Sequence, residues 1–393
     1  MGGYNEIMSR SRALPPWAKL LLLLSATAAL YTVTARMGLA LAMPPEKKAT
    51  ALWLPSGIAL AALLVAGYRV WPGIWLGAFL ANLWDVFQPA NAAPLSVHLL
   101  LSASIASGST SQAVLGASFL RRWLGRDTSL DRARSVFQFV GVTLLMCVVG
   151  ATVGVTALVL AGVTHQAHHA FRWLTWWLGD TVGILVVTPL ILFWSKPLWF
   201  EWNARRLLEG GLLAGILVGV GLFVFGGWSP WGPVTSALTY VTVPLLVWAT
   251  FRFGQHGAMV NLVLISGLAV WGTIHGHGPF VQKTLTESLL LIQTFVGVLA
   301  ITVLTLAGVL AERRQAEQTK TALISQLENA RNEIRTLRGL IPICAWCKNI
   351  RNDEGCWEQL EAYLRDRTEA KFSHGICPQC AGKRLGLEVT EGS

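Results

Sequence analysis

Apolar residues run along this chain in long stretches, and the polar positions between them recur about once per helix length. A helix that crosses the hydrocarbon core of a bilayer needs roughly 20 consecutive, mostly apolar residues. Ten stretches meet or approach that length: about 17–41, 52–68, 71–88, 95–120, 134–162, 171–195, 206–226, 235–252, 256–275 and 285–311. The second and third are short and are joined by little more than Gly67-Tyr68-Arg69. They predict a tight helical hairpin, or one partly re-entrant segment. The pattern as a whole predicts an all-α polytopic membrane protein of about ten transmembrane helices, with eight as the rival count. The first apolar run follows Lys19 and continues past Leu30 to about Ala42 without a small-residue cleavage site. It reads as a retained span rather than a signal peptide.

Composition agrees with lipid as the solvent. The chain is 53% apolar and only 13% charged, against roughly 25% charged in soluble domains. A net charge of +10 raises the question of nucleic acid. The cations, however, fall in short clusters between apolar runs, which is the pattern of membrane orientation and not of a nucleic-acid face. With the N-terminus inside, the inner segments hold Arg10, Arg12, Lys19, Arg69, Arg121, Arg122, Arg126, Arg132, Arg134, Lys196, Arg205, Arg206 and Arg252. The outer segments hold only Lys47, Lys48, Arg172 and Lys283. Both termini are therefore expected in the cytoplasm of a bacterial inner-membrane protein. Tyr68-Arg69 and Phe251-Arg252-Phe253 echo each other across inner turns, too weakly to establish an inverted repeat.

Ionisable residues inside a membrane are costly, so each is a candidate for function. On this topology Arg36, Asn82, Asp85, Asp180, His275 and Glu287 all lie toward the outer half, where Trp53-Leu54-Pro55-Ser56-Gly57 opens the second span. One reading is a ligand pocket formed by Arg36, Trp53, Pro55, Ser56, Asn82, Asp85, Asp180 and Glu287, apolar with a few placed polar groups. The other is structural, with Arg36 neutralising Asp180 or Asp85 while the Trp rings form interfacial belts. Asp180, deepest in its span, is the foremost single candidate. His165, His168 and His169 cluster in an outer loop, as a metal or pH site or simply as a solvated loop. Cys147, mid-span, reads as packing.

The segments Trp53-Leu54-Pro55-Ser56-Gly57-Ile58-Ala59-Leu60 and Trp71-Pro72-Gly73-Ile74-Trp75-Leu76-Gly77-Ala78-Phe79-Leu80-Ala81-Asn82-Leu83 resemble the MASE type-one membrane-associated sensor domain of bacterial signalling proteins. Trp177-Leu178-Gly179-Asp180 with Pro189, Phe251-Arg252-Phe253-Gly254, Gly278-Pro279-Phe280 and Ala311-Glu312-Arg313-Arg314 look like its later landmarks. The resemblance covers roughly residues 15–315. It implies eight spans, a place upstream of signalling enzymes, and perception of small signals.

Past Ala311 the chain becomes charged and helical. Ala316, Leu323, Ala330 and Leu337, with Leu327, Ile334 and Ile341, make the 3–4 spacing of a heptad seam in which Lys320 is the misfit. A coiled-coil dimer is one reading, and a monomeric amphipathic helix the other. Cys344-x-x-Cys347 and Cys377-Pro378-Gln379-Cys380 follow, with His374 between them. In a reducing cytoplasm two CxxC units read as a metal site. Four thiolates suit structural zinc, with His374 as a possible substitute. Redox-active thiols and an iron centre are the alternatives. A turn at Asn352-Asp353-Glu354-Gly355 and an amphipathic helix with Trp357, Leu360, Tyr363 and Leu364 are expected between the pairs. The stretch from Leu340 to Cys380 is similar to a Cys-rich module that ends many bacterial PAS, GAF and receiver proteins, although Cys356 stands where that module has an aromatic residue.

The expected layout is a cytoplasmic N-terminus (1–16), a transmembrane sensor domain (17–311), a helical coiled-coil connector (312–341) and a small zinc-ribbon-like α+β tail (342–393). After residue 311 only 82 residues remain, too few for a kinase or cyclase domain of ordinary size. No phosphate loop, nucleophile elbow or HExxH pattern is present, so no enzyme activity is expected. The sequence points to a homodimeric membrane sensor, relaying an unknown small-molecule signal to a separate cytoplasmic signalling protein. A solute permease and a constitutive membrane scaffold are the alternatives.

Overall fold

A computed structural model describes residues 15–40, 50–84, 94–125, 128–163, 169–195, 203–228, 235–338, 342–367 and 371–385. The sequence predictions for Asp85, His165, His168 and Ile341, and for the ends of the chain, lie outside the described residues. The chain divides into two compact units, Met1–Ala316 and Glu317–Ser393.

The first unit consists of helices: α1 (Pro16–Ala40), α2 (Leu54–Ala66), α3 (Trp71–Leu83), α4 (Leu95–Leu124), α5 (Ala133–Leu160), α6 (His169–Trp194), α7 (Ala204–Phe225), α8 (Thr242–Ile274) and the start of α9 (Leu285–Arg338). Burial separates a centre from a rim. Every residue of α6 from Gly179 to Pro189 is buried, as is every residue of α2 from Pro55 to Ala61. A helix apolar all round belongs in a core or in a membrane. On the rim, Leu22 of α1 and Leu208 of α7 expose their side chains, the arrangement expected of helices facing lipid tails.

Small residues bring the two central helices together. A Cβ on Gly57 would lie 2.6 Å from the Gly183 carbonyl oxygen, and one on Gly183 would press on the Trp53 carbonyl oxygen. Backbones can approach this closely only where both sides lack side chains, the small-residue packing that drives helix association in lipid. The approach lets Thr188 Oγ1 donate to the Gly57 carbonyl at 2.9 Å and the Trp53 N–H to the Gly179 carbonyl at 3.1 Å. Pro55 stands in the first turn of α2, where a missing N–H costs nothing.

Six helices among the described residues are long and apolar enough to cross a membrane: α1, α5, α6, α7, α9 and the stretch Thr239–Ile274 that contains α8. By that measure the described residues show fewer than the ten expected from the sequence, and fewer than eight. At 13 residues each, α2 and α3 rise only about 20 Å, short of the ~30 Å hydrocarbon core. The 30 residues of α4 are long enough, but Ser, Thr, Gln and Gly dilute their hydropathy. The expected eighth and ninth spans form two helical stretches that meet inside α8 at Gly254, where φ is 64° and ψ is −154°.

The second unit is small. A hairpin pairs β1 (Ile350–Arg351) with β2 (Trp357–Glu358) in antiparallel register, Ile350 opposite Glu358 and Arg351 opposite Trp357. Two short helices follow, α10 (Leu360–Arg367) and α11 (Pro378–Leu385). The turn expected at Asn352–Gly355 is present, closed by the Gly355 N–H on the Asn352 carbonyl at 3.0 Å. Trp357, expected on the helix, is instead a strand residue, because the turn closes on Cys356 and keeps its neighbour extended. Ile350 is the one buried apolar residue among the described residues of this unit.

Gly183→Ala should destabilise the bundle by about 1–3 kcal/mol, as overpacking does, because the added methyl would press on the Trp53 backbone. Gly211 has open space around it, so Gly211→Ala should be neutral or stabilise by up to about 1 kcal/mol. Thermal unfolding in lipid nanodiscs reads both; equal shifts would contradict the close-packing account.

Candidate functional site

The carboxyl group of Asp180 sits where α2, α4, α5 and α6 meet, with the residue only 2% exposed. Ser56 Oγ donates to its Oδ1 at 2.8 Å, and the side chains of Gln112 on α4 and Trp176 one turn earlier on α6 also hydrogen-bond to it. Around this centre, the buried hydroxyl of Tyr31 on α1 hydrogen-bonds to Ser109 and Trp53. Seven residues, six of them on α1, α2, α4 and α6 and the seventh, Trp53, just ahead of α2, thus form a polar cluster in the apolar core.

Local sequence explains how they are placed. Pro55 and Gly57 start α2 directly against α6 and aim Ser56 inward. Gly150 of α5 provides room for Gln112: a Cβ there would run into Gln112 Oε1 and lie 3.4 Å from Asp180 Oδ2. Nearby, Gln293 of α9 donates to the Thr175 carbonyl at 3.0 Å and the Thr50 carbonyl at 3.3 Å, which ties the last helix to the start of α6 and to the segment before α2.

The partners of Asp180 among the described residues are neutral. Arg36 does not neutralise it; the guanidinium lies over the Trp84 ring, 5.4 Å from its centroid. Two buried carbonyl oxygens, Gln112 Oε1 and Gln293 Oε1, have no hydrogen-bond partner among the described residues. The arrangement is therefore rich in acceptors. Chemically it suits a group that brings hydrogen-bond donors, and among the described residues it does not gather three or more metal-ligating side chains.

The sequence candidates separate accordingly. Trp53, Pro55, Ser56 and Asp180 come together. Asn82 donates back to the Ala78 carbonyl of its own helix at 2.8 Å. Glu287 belongs to a capping box at the start of α9, its Oε2 accepting from the Thr284 N–H at 3.4 Å while its own N–H donates to Thr284 Oγ1 at 3.3 Å. His275 Nδ1 sits 2.8 Å from the Trp271 carbonyl. Gln112, Tyr31, Ser109 and Trp176 of the cluster, and Gln293 beside it, are residues that a search for acidic and basic side chains passes over. The run Ser107–Gln112, polar in mid-helix, is the signal that points to two of them.

In the second unit each cysteine pair closes on itself. Cys344 Sγ accepts the Cys347 N–H at 3.5 Å, Lys348 turns at φ 62°, and the Lys348 N–H donates to the Cys344 carbonyl at 3.0 Å. Hydrogen bonds from the N–H groups of Cys347 and Trp346 hold the Cys344 thiol below its usual range. The Cys380 N–H does the same for Cys377. Thiolates cradled by backbone N–H groups are the donors a zinc ion takes, so each pair fits. The described residues do not gather three or more donors into one group, and His374 is exposed.

The fold and its polar centre define a polytopic helical membrane protein. Residues 21–315 match the MASE1 family, a family of membrane-associated sensor domains, and the chain belongs to it. No curated protein and no solved structure matches the chain.

Ser56→Ala should cost about 1–3 kcal/mol, because it leaves a buried carboxyl oxygen short of its donor; Asn82→Ala should cost less than about 1 kcal/mol. Thermal unfolding of the full chain decides, and equal losses would remove Ser56 from the cluster's energetics. With metal chelated, Cys344 and Cys377 should alkylate faster at pH 7 than a free cysteine does. A lowered thiol is ionised to a larger fraction at that pH than a free one, so a rate midpoint at or above the ordinary thiol range would refute the backbone hydrogen-bond account.

Proposed function

We propose that this protein is a signal sensor of the bacterial inner membrane. Its bundle perceives a small solute at the Asp180 cluster and passes the change along α9 to a cytoplasmic tail that docks a separate signalling protein. The carrying observation is Asp180 itself: an ionisable side chain kept at the centre of a lipid-solvated bundle, beside a Gln112 carbonyl that has no partner among the described residues. Such groups are too costly to retain for packing alone. The orphan acceptor points to a solute that offers N–H or O–H donors. Membership in a sensor-domain family supports the same reading.

The excess of Lys and Arg in alternate loops supports a cytoplasmic location for both termini. Leu323 and Leu327 of α9, 55% and 62% exposed, support pairing of two chains along the heptad seam. The tail is proposed to hold structural zinc through Cys344, Cys347, Cys377 and Cys380, with His374 as the alternative fourth ligand. Zinc would supply the folding free energy that a core of one buried isoleucine cannot. In this proposal the chain is not an enzyme.

Thermal-shift screening of the full chain in nanodiscs should find donor-bearing solutes that stabilise the wild type and fail to stabilise Asp180→Asn. If no solute shifts the wild type, the sensing site is refuted. If instead a solute is taken up into proteoliposomes and Asp180→Asn abolishes that uptake, the chain is a permease. Elemental analysis of the purified full chain should give about one zinc per chain, lost in the double variant Cys344→Ser, Cys377→Ser. Iron, or no metal bound under reducing conditions, would overturn the zinc assignment.

A further inference from the structure

Gly254 interrupts α8 with a φ of 64° and ψ of −154°, a backbone conformation open essentially only to glycine. A helix broken there leaves the carbonyls of its last turn without helical partners, at the negative end of its dipole. One of them, the Phe251 carbonyl, accepts a hydrogen bond at 2.9 Å from Arg314 Nη2 of α9. The same guanidinium lies beside the break, because a Cβ on Gly254 would lie 3.2 Å from Arg314 Nη1.

The turn around Gly254 is also a junction. Arg252 Nε donates to Glu209 Oε2 of α7 at 2.7 Å. Gln255 Nε2 donates to Asp131 Oδ1 at 3.0 Å, in the segment leading into α5. His256 Nε2 lies 3.0 Å from the Phe193 carbonyl near the end of α6. One turn and a half before Arg314, a Cβ on Gly308 of α9 would lie 3.3 Å from the Leu130 carbonyl oxygen of that same segment. Residues 251–256 therefore touch α6, α7, the approach to α5, and α9 at the point where its exposed stretch begins.

A second arginine shows what a fixed contact of this kind looks like. At the Gly67 break after α2, Arg121 Nη2 donates to the Leu63 carbonyl at 2.7 Å and the Leu64 carbonyl at 3.2 Å, with its guanidinium 4.7 Å from the centroid of the Tyr68 ring. That arginine is half-buried and held on three sides. Arg314 is exposed, with one carbonyl acceptor among the described residues and no ring over it. Water can replace the acceptor of Arg314 far more cheaply than those of Arg121.

We infer that Arg314 and the Gly254 break form a reversible latch, which fixes where α9 leaves the bundle when closed and frees the last bundle turn of α9 when open. The broken helix end provides a standing acceptor, and the junction reports to it from every neighbouring helix. At the exit of α9, a movement of α7 or of the end of α6 is therefore passed on by the Phe251–Arg314 hydrogen bond. This mechanism is independent of which solute, if any, the polar cluster takes.

Hydrogen–deuterium exchange on the full chain in lipid nanodiscs tests it. Arg314→Ala should speed exchange in residues 251–258 and 308–316 roughly tenfold and leave residues 54–66 unchanged. Arg314→Lys, which keeps a charged donor, should restore most of the protection, and Arg314→Gln part of it. Arg121→Ala should loosen 54–66 and leave 251–258 protected. Unchanged exchange at 251–258 in both Arg314→Ala and Arg314→Gln would overturn the latch. So would a loosening spread equally over 54–66, which marks general destabilisation. Failure of the solute screen with this pattern intact would leave the latch standing without a sensor.

Discussion

Hydrocarbon offers no partner to a polar group, so a helical bundle in lipid has to meet each hydrogen-bonding demand from within. In this protein the demand is concentrated at Asp180, and the hydrogen bond from Ser56 meets it only because two backbones nearly touch. Gly57 and Gly183 permit that approach, Pro55 starts α2 where it can be made, and Thr188 secures it by donating to the Gly57 carbonyl. A side chain at either glycine would move Ser56 away from Asp180. Packing of the core and placement of the polar cluster are thus one event.

The same constraint explains the arginines at the helix breaks. Short helices such as α2 and the first part of α8 break off beside longer ones, and their freed carbonyls take donors from these neighbours. Arg121 and Arg314 reach across from longer helices to provide them. What differs is solvent. The buried contact is an anchor, and the exposed one is cheap to open. In the proposed latch this difference makes the Arg121 half of the bundle the fixed one and the exit of α9 the one that moves.

The tail follows a different economy. Its hairpin and short helices bury one isoleucine among the described residues, far less than folding of some fifty residues ordinarily requires. The local structure goes instead into two tight turns that point N–H groups at Cys344 and Cys377. Backbone spent on cradling sulfur, with little apolar core beside it, is what supports the proposal that metal stabilises this unit.

The primary structure by itself determined the solvent of this protein and the order of its helices, and it pointed to Asp180 and the Trp53–Gly57 motif, which the fold brings together. Hydropathy and the rarity of charge in lipid are properties of residues, not of their arrangement. It could not give the number of complete crossings, because a 13-residue helix buried by its neighbours is as apolar as half a span. Nor could it separate Glu287, a capping residue, from Asp180, or identify Gln112 and Gln293 as members of a buried shell. A neutral amide costs little in a hydropathy count, and its importance comes only from what it faces. The contact between Phe251 and Arg314 joins residues 63 positions apart. Only the tertiary fold brings them together, because a broken helix end needs a donor that its own strand of chain cannot supply.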